Sequence, residues 1–336
     1  MEDNKNMTSN QGGANSNEIK FDVLKIDSSI KKDTSYKDGD TVFQFCSEYD
    51  PEKPGEQDQK IDFPKYIAKI KAPNFEYLGI LSKNLKKENY GYNHFDNGDE
   101  YFGQWNKDKK EGYGIYYFKE ENSDLIKQIY IGEFKNNVKS GEGIYFNVTK
   151  FDEEKKEDNI MAPLDFTLVI GNFSDDNFIK GIIFSMEDGK RKIYKGKMNK
   201  ELKKNDEKAE IYEDDNKIFY GIVKDNVMTE GRIVIMKDEK TKDTGYYFSK
   251  KGSNSLDEEI DFDYEKGEKG DDKYIRKLNE LNSIFDNEKI QDLFIDVMKI
   301  RKKGNGSDNF EYLKTLDYDM DVKQELKNQY GKYLYC

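Results

Sequence analysis

The stretch that decides the fold is Tyr101-Phe102-Gly103-Gln104-Trp105, followed by the polar run Asn106 to Lys110 and then Glu111-Gly112-Tyr113-Gly114-Ile115-Tyr116-Tyr117-Phe118. Alternation in the first five residues has period two, which places Tyr101, Gly103 and Trp105 on one face of a strand. The polar run reads as a turn, and Gly112, Gly114, Tyr116 and Phe118 read as one face of the returning strand. The segment is therefore a β-hairpin with glycines at chosen registers. A glycine inside a strand weakens it by about 0.5–1 kcal/mol relative to alanine. Its recurrence calls for a steric cause, and the simplest is an aromatic ring lying flat over the missing side chain.

The phrase recurs. It reads Tyr130-x-Gly132-x-Phe134 with Ser140-Gly141-Glu142-Gly143-Ile144-Tyr145-Phe146, then Val169-x-Gly171-x-Phe173 and Tyr194-x-Gly196-x-Met198. Looser versions are Tyr77-x-Gly79-x-Leu81 and Phe219-x-Gly221-x-Val223. The first unit keeps a relic of the second signature in Asn89-Tyr90-Gly91-Tyr92, whereas Gly181 and Gly231 stand without their preceding glycine. Repetition fixes architecture before any local motif does.

This pattern resembles the MORN repeat family, whose units carry Y-x-G-x-W/F, a polar turn, and G-x-G with an aromatic. The match is good at 101–118 and 130–146 and degraded at 77–98, 169–189, 194–219 and 220–248. The resemblance implies a mainly β fold: an elongated, curved, mostly single-layer array of antiparallel hairpins, here with a C-terminal α-helical region. The repeat-structural residues, which are also candidates for partner binding, are Tyr101, Gly103, Trp105, Gly112, Gly114, Tyr116, Tyr130, Gly132, Phe134, Gly141, Gly143 and Tyr145.

Around the array, the organisation follows from composition. Residues 1–18 read as a disordered tail and 19–74 as an irregular N-terminal extension with strands that could cover the first repeat. The array occupies 75–248, and the segment Asn147 to Asp165 reads as an insertion loop. An acidic linker at 249–271 precedes a helical region at 272–336. There, Ile275, Leu278, Leu281, Ile284 and Phe285, then Ile290, Leu293, Phe294, Val297 and Met298, recur at helical spacing, with a break at Asp286-Asn287-Glu288. Further helical stretches are expected at 309–316 and 319–330.

The 336 residues are 37% charged and 14% aromatic, and mean hydropathy is −1.02. That combination suits many half-exposed strands better than a disordered acidic polymer. A net charge of −12 argues against nucleic acid as a partner. Cys46 and Cys336 offer no disulfide framework, and no signal peptide, membrane span or lipidation signal is written in the chain. A cytoplasmic setting is the simplest expectation.

The search for chemistry returns little. His94 is the single histidine and reads as an ordinary strand residue. The G-x-G pairs lack a Walker or dinucleotide context, and Asp317-x-Asp319-x-Asp321 lacks the glycine and glutamate of a calcium loop. No cofactor, metal, catalytic residue or small-molecule substrate is expected. Lys83, Lys86, Lys87, Lys107, Lys109, Lys110, Lys135, Lys139, Lys190, Arg191 and Lys192 fall in or beside the turns. They read first as edge protection, and second as a basic stripe for acidic protein or anionic lipid. Trp105 reads as packing against Gly114 or a neighbouring glycine. The expected partners are other proteins of a large cytoskeletal assembly, with the ciliary axoneme and its radial spoke head as the specific case. Membrane tethering through the turns and service as an enzyme's regulatory subunit are the alternatives.

Overall fold

The computed structural model describes residues 35–45, 66–82, 84–120, 125–213, 217–236, 242–253 and 287–304. The sequence readings for 1–18, 272–286, 309–330 and the Asp317–Asp321 motif lie outside these residues.

One open antiparallel sheet runs through the described chain, its sixteen strands hydrogen-bonded in strict chain order. The strands are β1 (Ser35–Asp38), β2 (Thr41–Phe45), β3 (Tyr66–Ala72), β4 (Phe75–Leu81), β5 (Lys87–Phe95), β6 (Glu100–Asn106), β7 (Lys109–Lys119) and β8 (Ile126–Lys135). They continue as β9 (Val138–Glu157), β10 (Ile160–Ser174), β11 (Asn177–Glu187), β12 (Lys190–Lys197), β13 (Asp206–Glu213), β14 (Lys217–Lys224), β15 (Val227–Met236) and β16 (Lys242–Ser253). Within the N-terminal extension, β1 to β3 lengthen the sheet at its edge and do not lie over the first repeat. At the other end β16 carries the sheet to Ser253.

The meander follows from its turns. Lys107-Asp108, Asn136-Asn137, Asp158-Asn159, Asp175-Asp176 and Asp225-Asn226 all have positive φ at both residues. That is the two-residue hairpin geometry whose twist suits the flanking strands, and Asn and Asp are the side chains that tolerate it best. The stretch Asn147 to Asp165 is not a loop. It continues β9 and β10 as paired strands with register shifts near Ala162 and Asp165, because Phe146, Val148, Ile160, Ala162 and Phe166 find cover there.

That cover is α1, Asn287–Gly304. It starts at the break seen in the sequence and carries Glu288 in its first turn, where a helix N-terminus favours negative charge. Ile290, Leu293, Phe294 and Val297 face the sheet and are buried. The ring of Phe294 meets Phe146 at 5.7 Å and Phe151 at 6.0 Å. Polar contacts fix the seat: Tyr117 Oη donates to Val297 O at 2.8 Å, and Gln291 Nε2 to Pro163 O at 2.7 Å. Arg301 grips the buried Glu100 with two bonds of 2.7 and 3.1 Å.

Adjacent residues of a strand face opposite ways, so the sheet has two distinct faces. Ile115, Tyr117, Ile129, Ile131, Ile144 and Phe146 join α1 in one core. Tyr77, Tyr101, Trp105, Tyr130, Phe134 and Phe173 form a second core on the other face, to which strands and Leu85 of the β4–β5 connection contribute, with no helix among the described residues.

Candidate interaction face

A straight row of glycines crosses the second face. Gly79, Gly91, Gly103, Gly114, Gly132, Gly143, Gly171, Gly181 and Gly196 are consecutive ladder partners from β4 to β12. Gly221 and Gly231 pair in the same way on β14 and β15. From Gly79 to Gly143, and at Gly196, each row position lies under a tyrosine ring, while Phe178 lies over Gly171 and Phe219 over Gly221 and Gly231. A Cβ on Gly114 would stand 2.5 Å from Tyr101 Cε2, and one on Gly143 would stand 2.5 Å from Tyr130 Oη. The ring therefore comes from the neighbouring strand for Gly114 and Gly143, and from two residues earlier in the same strand for Gly103 and Gly132.

The tyrosine hydroxyls explain why tyrosine is used. Tyr77, Tyr101, Tyr130 and Tyr194 reach across their own glycines and donate to the carbonyl three residues on, at 2.9, 2.8, 3.1 and 2.6 Å. A glycine at the crossing point leaves room for the ring. Burial pushes the hydroxyls of Tyr77, Tyr101, Tyr130 and Tyr194 well above their ordinary pKa, so each stays a donor.

The aromatic at the end of each phrase links units. Trp105 stands edge-on to Tyr101 at 5.0 Å and to Tyr77 of the preceding unit at 5.7 Å, and its Nε1 donates to Gly91 O at 3.2 Å. Phe134 repeats the arrangement between Tyr130 and Tyr101, both at 5.1 Å, and Phe173 continues it onto Tyr130. Such edge-to-face pairs add about 0.5–1.5 kcal/mol each beyond their buried area. The expected aromatic seam is thus a ladder, and the glycine that Trp105 meets is Gly91 of the unit before.

Gly112 and Gly141 serve a different purpose from their partners Gly114 and Gly143. Each sits in a bulge, at φ 74° and 61°, where side chains are strained. Gly112 therefore leaves the face shared by Gly114, Tyr116 and Phe118 and turns toward Gln104, whose Oε1 accepts from Tyr113 N at 2.7 Å. Asn89 holds the same place in the first unit at φ 53°, which asparagine tolerates. From Gly171 to Gly181 and from Gly221 to Gly231 the return is one residue shorter, with no positive φ at the bulge. The first glycine of the pair is absent there because nothing requires it.

The lysines beside the turns divide: Lys86, Lys107, Lys109, Lys135 and Lys190 are exposed, whereas Lys87, Lys110 and Lys139 are drawn in among the rings, as is Lys204. Lys87, Lys110, Lys139 and Lys204 are each held by the next unit's turn. Their backbone N–H groups donate to Asp108, Asn137, Asp176 and Asn226 Oδ1, all at 2.8 Å. In return the backbone N–H of each turn residue donates to the lysine carbonyl at 3.1, 3.0, 3.1 and 2.9 Å. The side chains lie among the rings. Lys87 Nζ is 3.8 Å from the Phe75 centroid and 4.7 Å from that of Trp105, and it donates to Asn93 Oδ1. Lys110 Nζ is 4.2 Å from Tyr116, and Lys139 Nζ is 5.3 Å from Tyr145. Burial lowers Lys87 to about 7 and Lys110 to about 8, against Asp108 and Asp176 respectively, which raise them. The rings' negative faces also favour the ammonium form.

The predicted set therefore divides. Tyr101, Gly103, Trp105, Gly114, Tyr130, Gly132, Phe134 and Gly143 are packed within the seam. Tyr116 and Tyr145, with Phe95 and Phe118, are half-buried and present ring surface outward. Lys110 and Lys139 join them, an arrangement that neither charge nor alternation signalled. His94 is exposed on β5. Among the described residues no cluster of three or more His, Cys, Asp or Glu could hold a metal, and no helix is long and apolar enough to cross a membrane.

The MORN repeat family model matches residues 101–122 and 130–147. These are the two units in which the bulge glycine, the glycine of the row and the tyrosine hydroxyl bond all coincide. No curated protein matches the chain.

Proposed function

We propose that this MORN-repeat protein is a non-enzymatic scaffold that docks other proteins on the aromatic face of its sheet. One observation carries the reading. α1 covers the opposite face, while Phe95, Tyr116, Phe118 and Tyr145 are half-buried with no covering element among the described residues. A thin sheet leaves large apolar patches uncovered mainly where a partner completes them. The finer assignment, a subunit of a cytoskeletal complex such as a ciliary radial spoke head, is supported by family resemblance alone.

Cross-linking and mass spectrometry of the tagged protein purified from its own cells tests the reading. Wild type should recover a defined set of protein partners that the Phe118→Ser/Tyr145→Ser variant loses. Recovery of the same set by both would move the docking site off this face. Axonemal proteins in the set, together with a ciliary location of the tag, would support the finer assignment, and a catalytic subunit would favour the regulatory reading.

A further inference from the structure

Lys110 and Lys139 stand at one register, opposite Trp105 and Phe134 on the preceding strands. Their backbones are fixed by the turn clasps and their stems run between rings. Among the described residues their ammonium groups have ring faces as neighbours and no hydrogen bond or ion pair. Lys87, by contrast, is closed off by Asn93 and buried. A half-buried ammonium with no direct counter-ion, only the more distant Asp176, is costly, and ring faces offset that cost only in part.

Packing does not demand lysine here. In later strands the same register holds Phe178, opposite Phe173, and Met228, opposite Val223. Phe178 indeed supplies the ring over Gly171 where Val169 has none. The register thus takes either kind of residue: lysine at Lys87, Lys110, Lys139 and Lys204, apolar groups at Phe178 and Met228. Of the lysines, Lys110 and Lys139 lie beside the rings that face outward.

We infer that the aromatic face over β7 to β9 binds a peptide segment whose carboxylate side chains meet Lys110 and Lys139, with its apolar side chains on Tyr116, Phe118 and Tyr145. The inference rests on the docking reading above and adds the partner's chemistry. Strands two apart in a sheet are separated by about 9.5 Å, a span matched by carboxylates about two helical turns apart or three residues apart in a polyproline II segment. A peptide is favoured over a flat anionic bilayer because Asp108, Glu111, Asp175 and Asp176 edge the same turns and the whole chain carries a net charge of −12. A bilayer would meet those carboxylates along with the ammonium groups, whereas single side chains of a peptide can pass between them.

Selection of a displayed random-peptide library on the full-length protein tests this. Peptides taken by wild type should be enriched in Asp and Glu. The tightest should bind the Lys110→Met/Lys139→Met variant about tenfold more weakly, as loss of a hydrogen bond to a charged group implies. The same loss should appear when the peptide's Glu residues are replaced by Gln and wild-type protein is used, a readout independent of the variant's folding. Selected peptides with no acidic bias, or acidic peptides that bind the variant equally well, would overturn the inference while leaving the docking reading intact. So would flotation with phosphatidylserine vesicles that the same variant abolishes. If wild type selects no peptides at all, or if Phe118→Ser/Tyr145→Ser selects the same ones, the docking reading itself falls.

Discussion

A tyrosine lying across two glycines is the smallest working part of this protein. Alanine at Gly114 would force Tyr101 or the backbone aside, and overpacking of this kind costs about 1–3 kcal/mol. Gly114→Ala should therefore lower the free energy of unfolding, read from urea titration, by an amount in that range. Asn89 separates conformational from steric demand. Asn89→Gly should leave stability within about 0.5 kcal/mol of wild type, while Asn89→Val should lose about 1–3 kcal/mol, since a branched side chain at φ 53° is strained. Lys87 gives a pH signature. Its folded pKa, about 7, lies below the ordinary 10.5, so the unfolded chain binds the proton more tightly across that window. Stability should rise as pH increases from about 7 toward 10, and Lys87→Met should flatten the rise.

Among the elements, α1 depends on one buried ion pair. Arg301→Met would leave the Glu100 carboxylate buried beside Tyr92 without its counter-charge, a loss of about 3–5 kcal/mol for a pair of this kind. Hydrogen exchange should show α1 opening in that variant, and Glu100→Gln/Arg301→Met should regain most of the loss. The hairpins themselves were legible in the sequence, because glycine spacing and period-two alternation are local properties. The start of α1 was legible too, from Asp286-Asn287-Glu288 and the apolar spacing after it. Neither the seat of α1 nor the strand character of Asn147 to Asp165 could be read. Those segments are explained by each other, and their contacts span more than a hundred residues of chain. The lysines were misread for a related reason. Charged residues beside a turn are ordinarily solvated, and only the rings of their own and the neighbouring unit draw Lys110 and Lys139 partly out of water.

Across the whole molecule, stability is a sum over neighbours, since every strand pairs only with those next to it in sequence. Loss of β15 and β16 should therefore leave the units around Gly103 to Gly143 protected from hydrogen exchange. The seam also sets an alkaline limit. Burial pushes Tyr113 and Tyr145 up to about 12, so folding holds their protons more firmly than the unfolded chain does. Stability gained from the lysines should reverse above about pH 10, and tyrosinate absorbance should appear together with unfolding. A gradual titration in a folded protein would contradict the packing described.

The clasps give the chain a direction of its own. Lys87 is held by Asp108, Lys110 by Asn137, Lys139 by Asp176 and Lys204 by Asn226, always by a turn 21 to 37 residues later. Each hairpin is closed by its own ladder, but its returning lysine waits for the unit that follows. During synthesis each of these four lysines emerges ahead of its latch, so a chain halted midway lacks the clasp on its final unit.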